Sequence, residues 1–283
     1  MTNGGFRCLL QCAAVSVALV SCGGPGMDQG AMNKTQAEPG AKATASFANL
    51  EQRGFCANSA SCWSSCSSIA GPGNTAGKNC AASGADIAAG TAPLINTTFT
   101  YPDTAPDATP NTGLVWMGTD ANGGFANAYW FTQLGSNYPS TITSFTYSTD
   151  IYVGNSDGTY RAIEWDGNWY FGSQHFIFGL QNARYSFNVW RFFKTGTGWV
   201  STGVPATNLS GGWHHVTATF TVSGSTAQLA SFQVDGGTVH SGNGAWTIPA
   251  SAASSNKATF GVQGDELNTG MSFYYRNINV SFQ

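Results

Sequence analysis

The chain has 283 residues, of which 42% are hydrophobic and only 9% are charged, and its formal net charge is −3. Lysine and arginine together number 11 and form no basic stripe, which excludes nucleic acid and anionic membrane surfaces as main partners. The length suits one large β domain with a short additional segment.

Residues 1–21 are predicted to be a lipoprotein signal peptide. Arg7 precedes an apolar run over 9–20, which is too short to span a bilayer. The run ends in Leu-Val-Ser-Cys, which resembles the bacterial lipobox, so Cys22 is the predicted site of lipidation. The alternative is an ordinary secretory peptide in which Cys22 is incidental. Both interpretations predict export, and the lipid would place the chain at the cell surface or, because Gly23 follows Cys22, in an outer membrane.

Residues 22–50 are predicted to be a flexible tether between the anchor and the folded part. This range is rich in Gly, Ala, Gln, Lys and Thr and has almost no large apolar side chains. Such a composition buries too little surface to fold.

Residues 51–90 form a Cys-rich segment. Its cysteines are Cys56, Cys62, Cys66 and Cys80. In an oxidising compartment this even, clustered set predicts two disulfides, and three pairings remain open. A zinc site is the alternative, but the C-x-x-C spacing of zinc sites is absent and no His is near in sequence.

Residues 91–283 are predicted to form an all-β domain, because β-branched and aromatic residues alternate there with Gly, Asn and Ser and show no helical period. Turns are predicted at 155–158, 166–168, 210–212 and 235–237. About ten strands should close into two packed antiparallel sheets. The predicted strands are 114–117, 128–134, 141–153, 159–166, 169–171, 175–180, 185–193, 214–222, 227–234, 258–263 and 271–282.

Alternation along two of these strands predicts which residues face the core. In 141–153, the set that contains Phe145, Tyr147 and Ile151 is the more apolar and should point inward. In 159–166, Glu164 and Asp166 share one face because they are two residues apart. Two carboxylates on one face of an aromatic-rich strand indicate a candidate polar site.

The run Trp-His-His-Val over 213–216, followed by Val-Asp-Gly over 234–236, resembles a hairpin of laminin-G-like and other concanavalin A-like jelly rolls. The resemblance covers about 91–283 and implies a two-sheet jelly-roll sandwich. Proteins of this superfamily include lectins, hydrolases, lyases and adhesion modules, so the resemblance implies a fold more strongly than a function.

The resemblance also implies a possible catalytic strand. Family-16-like glycoside hydrolases of this superfamily carry E-x-D-x-E or E-x-D-x-x-E. Glu164 and Asp166 match the first two positions, but the acid/base position falls on Asn168 or Trp169. Retaining chemistry needs a second carboxyl about 5–5.5 Å from the first, and the remaining acidic candidates are Asp265 and Glu266.

A purely structural role for the two carboxylates is the competing interpretation. Glu164 and Asp166 would then form a polar network with Arg161, Arg184 or Arg191.

Sugar binding requires flat apolar surfaces for stacking and planar polar groups for paired hydrogen bonds. Trp130 and Trp169 are the predicted exposed platforms among the aromatic candidates, which also include Trp116, Trp165, Trp190, Trp199 and Tyr170. The predicted hydrogen-bonding groups are Glu164, Asp166, Gln174, Gln181, Gln263 and Asp265.

Three functions remain open from the sequence. The first is a cell-surface lipoprotein that binds polysaccharide, and the second is a glycoside hydrolase or polysaccharide lyase that uses Glu164 or Asp166. The third is a structural or adhesion module with a protein partner. No cofactor or metal ligand set is predicted, although the superfamily resemblance leaves a structural calcium ion open. The sequence leaves the oligomeric state undefined.

Overall fold

The computed structural model describes residues 45–53, 63–70, 97–103, 106–107, 112–117, 125–134, 141–154, 160–253, 257–267 and 271–283. Within these ranges the strands form two antiparallel sheets that pack face to face. The predicted all-β class and two-sheet antiparallel jelly-roll sandwich are therefore confirmed. Strands are numbered in chain order below.

Each sheet contains eight strands among the described residues. Sheet I has the order β13 (Thr247–Pro249), β12 (Thr226–Val234), β11 (Trp213–Ser223), β6 (Ser144–Val153), β16 (Met271–Phe282), β4 (Thr112–Met117), β3 (Thr97–Asp103), and β1 (Ala45–Phe47) also pairs with β16. Sheet II has the order β10 (Gly198–Pro205), β9 (Val189–Lys194), β8 (Gln174–Ala183), β7 (Tyr160–Phe171), β15 (Lys257–Leu267), β5 (Phe125–Gln133), β2 (Trp63–Ala70), and β14 (Ser251–Ala252) also pairs with β8.

The core lies between the two sheets and is rich in aromatic side chains. β6 alternates strictly between buried and half-buried residues, and Phe145, Tyr147 and Ile151 are fully buried, as predicted. The Phe145 ring stacks on Phe178 of sheet II at a centroid distance of 4.7 Å, so it joins the two sheets. Burial of such large side chains is the main stabilising contribution to a sandwich.

The predicted turn after β12 is present. Asp235 and Gly236 both have positive φ angles, and the N–H of Gly237 donates to the carbonyl of Val234 at 2.9 Å. The Asp235 carboxylate accepts hydrogen bonds from the backbone N–H of His215 at 2.8 Å and from His214 Nδ1 at 2.7 Å. The aspartate therefore fixes the turn onto the neighbouring strand β11.

The N-terminal boundaries need correction in the described part of the chain. β1 lies inside the predicted tether, 22–50, and β2 lies inside the Cys-rich segment, 51–90, yet both pair with strands of the sandwich. Trp63 of β2 is fully buried in the core, and its Nε1 donates to the carbonyl of Leu50 at 2.8 Å. These residues gain their apolar contacts from the sandwich, which composition alone does not reveal.

Two predicted element boundaries in sheet II are wrong. The turn predicted at 166–168 does not form, because β7 runs without a break from Tyr160 to Phe171. Gly167 instead leaves room for the ring of Phe145, because a Cβ at this position would lie only 2.4 Å from Cε1 of that ring. The strand predicted over 185–193 begins instead as a single-turn helix, α1 (Arg184–Phe187). Asn188 ends this helix in the left-handed conformation, which Asn adopts more readily than most residues.

The short 3-10 helix Leu50–Arg53 carries a buried carboxylate. Glu51 is 1% exposed and accepts hydrogen bonds from the backbone N–H groups of Asn277 at 3.2 Å and Ile278 at 2.9 Å. Asn277 has a φ of 52° and lies where the register of β16 against β6 shifts. Glu51 therefore holds a β-bulge whose N–H groups would otherwise lack these acceptors.

We expect Glu51 to make stability depend on pH. Burial raises the pKa of Glu51 above its usual 4.5, although the hydrogen bonds from Ile278 and Asn277 oppose the change. The folded state then binds the Glu51 proton more tightly than the unfolded state does. The stability gained in this way is fully present below pH 4.5 and is lost as the pH rises through the raised pKa. Urea unfolding from pH 4 to 8 should show that the free energy of unfolding falls more steeply with rising pH in the wild type than in Glu51→Gln. Parallel curves would contradict the expectation.

Candidate functional site on the outer face of sheet II

The candidate site lies on the outer face of sheet II, which is the face turned away from sheet I. Along β7 the side chains of Ile163 and Trp165 enter the core, whereas Glu164 and Asp166 emerge on the outer face. The two carboxylates therefore share a face, as predicted from their spacing.

Glu164 is held between two glutamines on the neighbouring strands. Gln181 of β8 and Gln263 of β15 are directly aligned with it. Gln181 Nε2 donates to Glu164 Oε1, and Gln263 Nε2 donates to Glu164 Oε2 at 2.7 Å. Both carboxylate oxygens therefore accept a hydrogen bond from an amide group. Glu164 and Gln181 are each only 4% exposed.

Arg191 extends this network to the next strand. Its Nη1 donates to Gln181 Oε1 at 3.2 Å, and its Nη2 donates to the carbonyl of Trp199 at 2.6 Å. The guanidinium lies 4.3 Å from the centroid of the Phe187 ring. Of the arginines predicted to pair with the carboxylates, Arg191 reaches Glu164 through Gln181.

Asp166 lies between two glycines. Gly179 of β8 and Gly261 of β15 are aligned with it on either side. A Cβ at Gly179 would lie 2.9 Å from Oδ1 of Asp166 and 3.0 Å from Cη2 of Trp199. A Cβ at Gly261 would lie 2.3 Å from Oη and 2.4 Å from Cε2 of Tyr129. The absent side chains thus leave space for aromatic rings close to the backbone.

Aromatic pairs stand on both sides of Asp166. On the β5 side, the rings of Tyr129 and Phe131 stack with centroids 5.4 Å apart and an interplanar angle of 18°. On the β9 and β10 side, Phe193 and Trp199 make an edge contact with centroids 5.5 Å apart. All four side chains are partly exposed. The result is a carboxylate between two aromatic walls.

The Tyr129 phenol is a neutral group at this site. Burial raises its pKa well above the usual 10, and nearby Asp166, Tyr170 and Glu164 add to the effect. The phenol therefore stays protonated at physiological pH and can donate a hydrogen bond.

A second polar cluster lies further along the same face. Asn168 follows Asp166 by two residues, and its Oδ1 is 2.9 Å from Nε2 of His175. The His175 ring stacks on Tyr170 with centroids 3.8 Å apart, and its Nδ1 is 3.2 Å from Oγ of Ser251. Asn168 thus occupies the place where E-x-D-x-E would carry its last carboxylate.

The prediction that Trp130 and Trp169 are exposed platforms is wrong. They are 1% and 2% exposed, respectively, and belong to the core. Trp169 packs its ring against Phe282 of sheet I with centroids 4.8 Å apart. Because β7 continues through Gly167, Trp169 shares the inward face with Trp165 instead of the outward face with Asp166.

Several predicted site residues are described by their backbone alone or lie outside the described ranges altogether. Asp265 is aligned with Ala162 of β7, and Glu266 with Tyr160, but their side chains are not described. Cys66 is aligned with Tyr129 through its backbone alone. The described ranges do not include Cys22, Cys56, Cys62 and Cys80, so lipidation and disulfide pairing remain predictions.

Sequence reasoning missed Tyr129, Phe131 and Phe193 as site residues. The i, i+2 spacing of Tyr129 and Phe131 around an inward Trp130 was the available signal. Phe193 and Trp199 flank the short turn at 195–197 and pair across it. Alternation predicts which side chains of each strand point outward, but it does not predict that these outward side chains lie beside Asp166.

The described part of the chain is an antiparallel two-sheet sandwich, and the outer face of its sheet II carries carboxylates and aromatic rings.

The sequence matches no protein-family model and no curated protein. Among solved structures it is similar to a peanut lectin in complex with a nonapeptide, at 13% identity and a TM-score of 0.44, covering 86% of this chain and 98% of the lectin. An alginate lyase from a Chlorella virus shows 8% identity and a TM-score of 0.44, covering 67% and 90%. Arcelin-5, a lectin-like defense protein from Phaseolus vulgaris, shows 8% identity and a TM-score of 0.39, covering 67% of this chain and 92% of arcelin-5. These similarities concern the fold alone.

The described residues contain no cluster of three or more His, Cys, Asp or Glu side chains arranged to hold a metal ion. They also contain no helix long and apolar enough to cross a bilayer.

Proposed function

We propose that the protein is an exported, Cys22-anchored lipoprotein that binds a polysaccharide on the outer face of sheet II. One observation carries the proposal: Asp166 lies between Gly179 and Gly261, and the rings of Trp199 and Tyr129 lie over these glycines. The glycines are two interstrand spacings apart, about 10 Å. A sugar ring bound above Asp166 would therefore have an aromatic ring on either side of it.

The chemistry of this gap suits a sugar. Aromatic rings stack on the apolar faces of pyranose rings, and a carboxylate accepts hydrogen bonds from two neighbouring hydroxyls. The Glu164 network with Gln181 and Gln263 keeps the floor rigid, which reduces the entropy lost on binding.

Binding is favoured over hydrolysis by the composition of β7. A retaining hydrolase needs a second carboxyl about 5–5.5 Å from its nucleophile. At the third outward position of β7 the described chain carries Asn168, whose amide oxygen contacts His175. A carboxamide cannot protonate a leaving oxygen.

We expect Trp199→Ala and Tyr129→Ala each to weaken polysaccharide binding about tenfold or more, because each removes one wall. Affinity electrophoresis through a panel of polysaccharide gels would measure the retardation, and the gels would be assayed for new reducing ends and unsaturated products. Tyr274→Ala is the matched control, since Tyr274 is a partly exposed aromatic residue on sheet I.

Each outcome has a definite meaning. The proposal is supported if a polysaccharide gel retards the wild type, if neither Trp199→Ala nor Tyr129→Ala is retarded, and if no cleavage products form. New reducing ends or unsaturated products would instead support the enzyme alternative. The absence of retardation in every gel would contradict sugar binding and favour an adhesion module with a protein partner.

A further inference from the structure

The single-turn helix α1 places an exposed aromatic ring at the edge of the candidate site. Phe187 is 54% exposed and lies in the connection between β8 and β9, whose outward side chains include Gln181 and Arg191. Scattered exposed apolar residues are common on protein surfaces, so the exposure alone indicates no function. What distinguishes Phe187 is the group that holds its ring.

Arg191 holds the Phe187 ring in place. The centre of its guanidinium lies over the ring, 4.3 Å from the centroid. The guanidinium is itself fixed, because its Nη1 donates to Gln181 Oε1 at 3.2 Å and its Nη2 donates to the carbonyl of Trp199 at 2.6 Å. A flat guanidinium stacks on one face of an aromatic ring. The exposed surface of Phe187 is therefore mainly the opposite face, and this is the kind of surface on which a sugar ring stacks.

A floor of buried polar side chains joins Phe187 to the aromatic rings at Asp166. Glu164 and Gln181 are each only 4% exposed and are joined by a hydrogen bond across β7 and β8. From Asp166, the position of Glu164 lies toward the end of the sheet where α1 follows β8. Arg191 is two strands across and one outward position along from Asp166, about 12 Å by the strand spacing and rise. One sugar ring above Asp166 does not span this separation, whereas a chain that continues toward α1 does.

We propose that Phe187 is the stacking platform for a second sugar unit, so that the polysaccharide lies along β7 and β8 from Asp166 toward α1. This inference rests on the proposed function, because it adds a subsite to the same outer face of sheet II. It also gives the ligand a direction on that face: the chain follows the strands and crosses the buried Glu164 and Gln181 side chains.

The test is isothermal titration with the polysaccharide that retards the wild type and with size-fractionated fragments from its acid hydrolysis. Phe187→Ala should weaken binding of the intact polysaccharide about fivefold, because it removes one stacking contact. The affinity of the wild type should rise with fragment length until a fragment reaches Phe187, and the last part of this rise should be absent in Phe187→Ala. Phe187→Tyr keeps the ring and should bind as the wild type does.

Tyr185→Ala is the matched control. Tyr185 is 59% exposed and belongs to the same single-turn helix. Residues two apart on a helix do not face the same side, so Tyr185 should contribute nothing to the subsite at Phe187. Both side chains are largely exposed, so urea unfolding of the two alanine variants should match that of the wild type.

The outcomes separate this inference from the proposed function. Wild-type affinity in Phe187→Ala, or equal losses in Phe187→Ala and Tyr185→Ala, would overturn the inference and leave polysaccharide binding intact. A loss of the same size for the shortest fragment that binds would also overturn it, because Phe187 would then contact the first sugar unit. If no polysaccharide in the panel retards the wild type, the proposed function fails and the inference fails with it.

Discussion

Replacing Gly261 with alanine is expected to weaken polysaccharide binding by about 100-fold while the sandwich stays folded. The new Cβ would lie 2.3 Å from Oη of Tyr129 and 2.4 Å from two ring carbons. Contacts this short force the ring away from its place beside Asp166. Tyr129 is partly exposed, so its ring can move toward solvent without opening the core. The variant would thus lose one aromatic wall and gain an obstruction on the floor.

Isothermal titration with the polysaccharide that the wild type binds would measure the loss. Gly212→Ala is the matched control, because a Cβ at Gly212 meets no atom within 4 Å. The two variants add the same methyl group, so a difference in affinity reports on the site alone. Wild-type affinity in Gly261→Ala, with unfolding curves unchanged, would mean that Tyr129 takes no part in binding.

The sequence predicted the sheet faces well wherever alternation was uninterrupted. Within strand β6 the residues assigned to the core, Phe145 and Tyr147 among them, are all buried, whereas Thr143 of the same set precedes the strand and is exposed. Glu164 and Asp166 were placed on one face for the same reason. The Asp235-Gly236 turn was also readable, because few other residue pairs adopt two consecutive positive φ angles easily.

Glycines within strands limit what this sequence predicts. Gly167, between Asp166 and Asn168, has the composition of a turn, which predicts a break in β7 and an exposed position for Trp169. In the structure Gly167, Gly179 and Gly261 all lie within strands of sheet II. A strand glycine indicates that another group approaches the backbone closely. Which group it is, Phe145 in the core or Tyr129 on the outer face, depends on tertiary contacts that no local pattern encodes.

Replacing Gly167 with alanine is expected to destabilise the protein by about 3 kcal/mol. Its Cβ would lie 2.4 Å from Cε1 and 2.6 Å from Cζ of Phe145. Phe145 is fully buried and stacked on Phe178, so its ring cannot move to solvent as the Tyr129 ring can. The overlap must be relieved by distorting the side chain or separating the sheets, and both disrupt the packed core. Urea unfolding of the wild type and the variant would measure the loss.

A double-mutant cycle distinguishes this overlap from a general intolerance of side chains in β7. Phe145→Leu removes ring atoms that the new methyl group would strike, at the cost of lost packing. If overlap causes the loss, alanine at Gly167 should cost at least 1 kcal/mol less in the Phe145→Leu background than in the wild type. Additive losses would show that the ring of Phe145 is not the obstacle. The same methyl substitution at Gly261 and Gly167 would then have different results for one reason: the outer ring has solvent to move into, and the core ring does not.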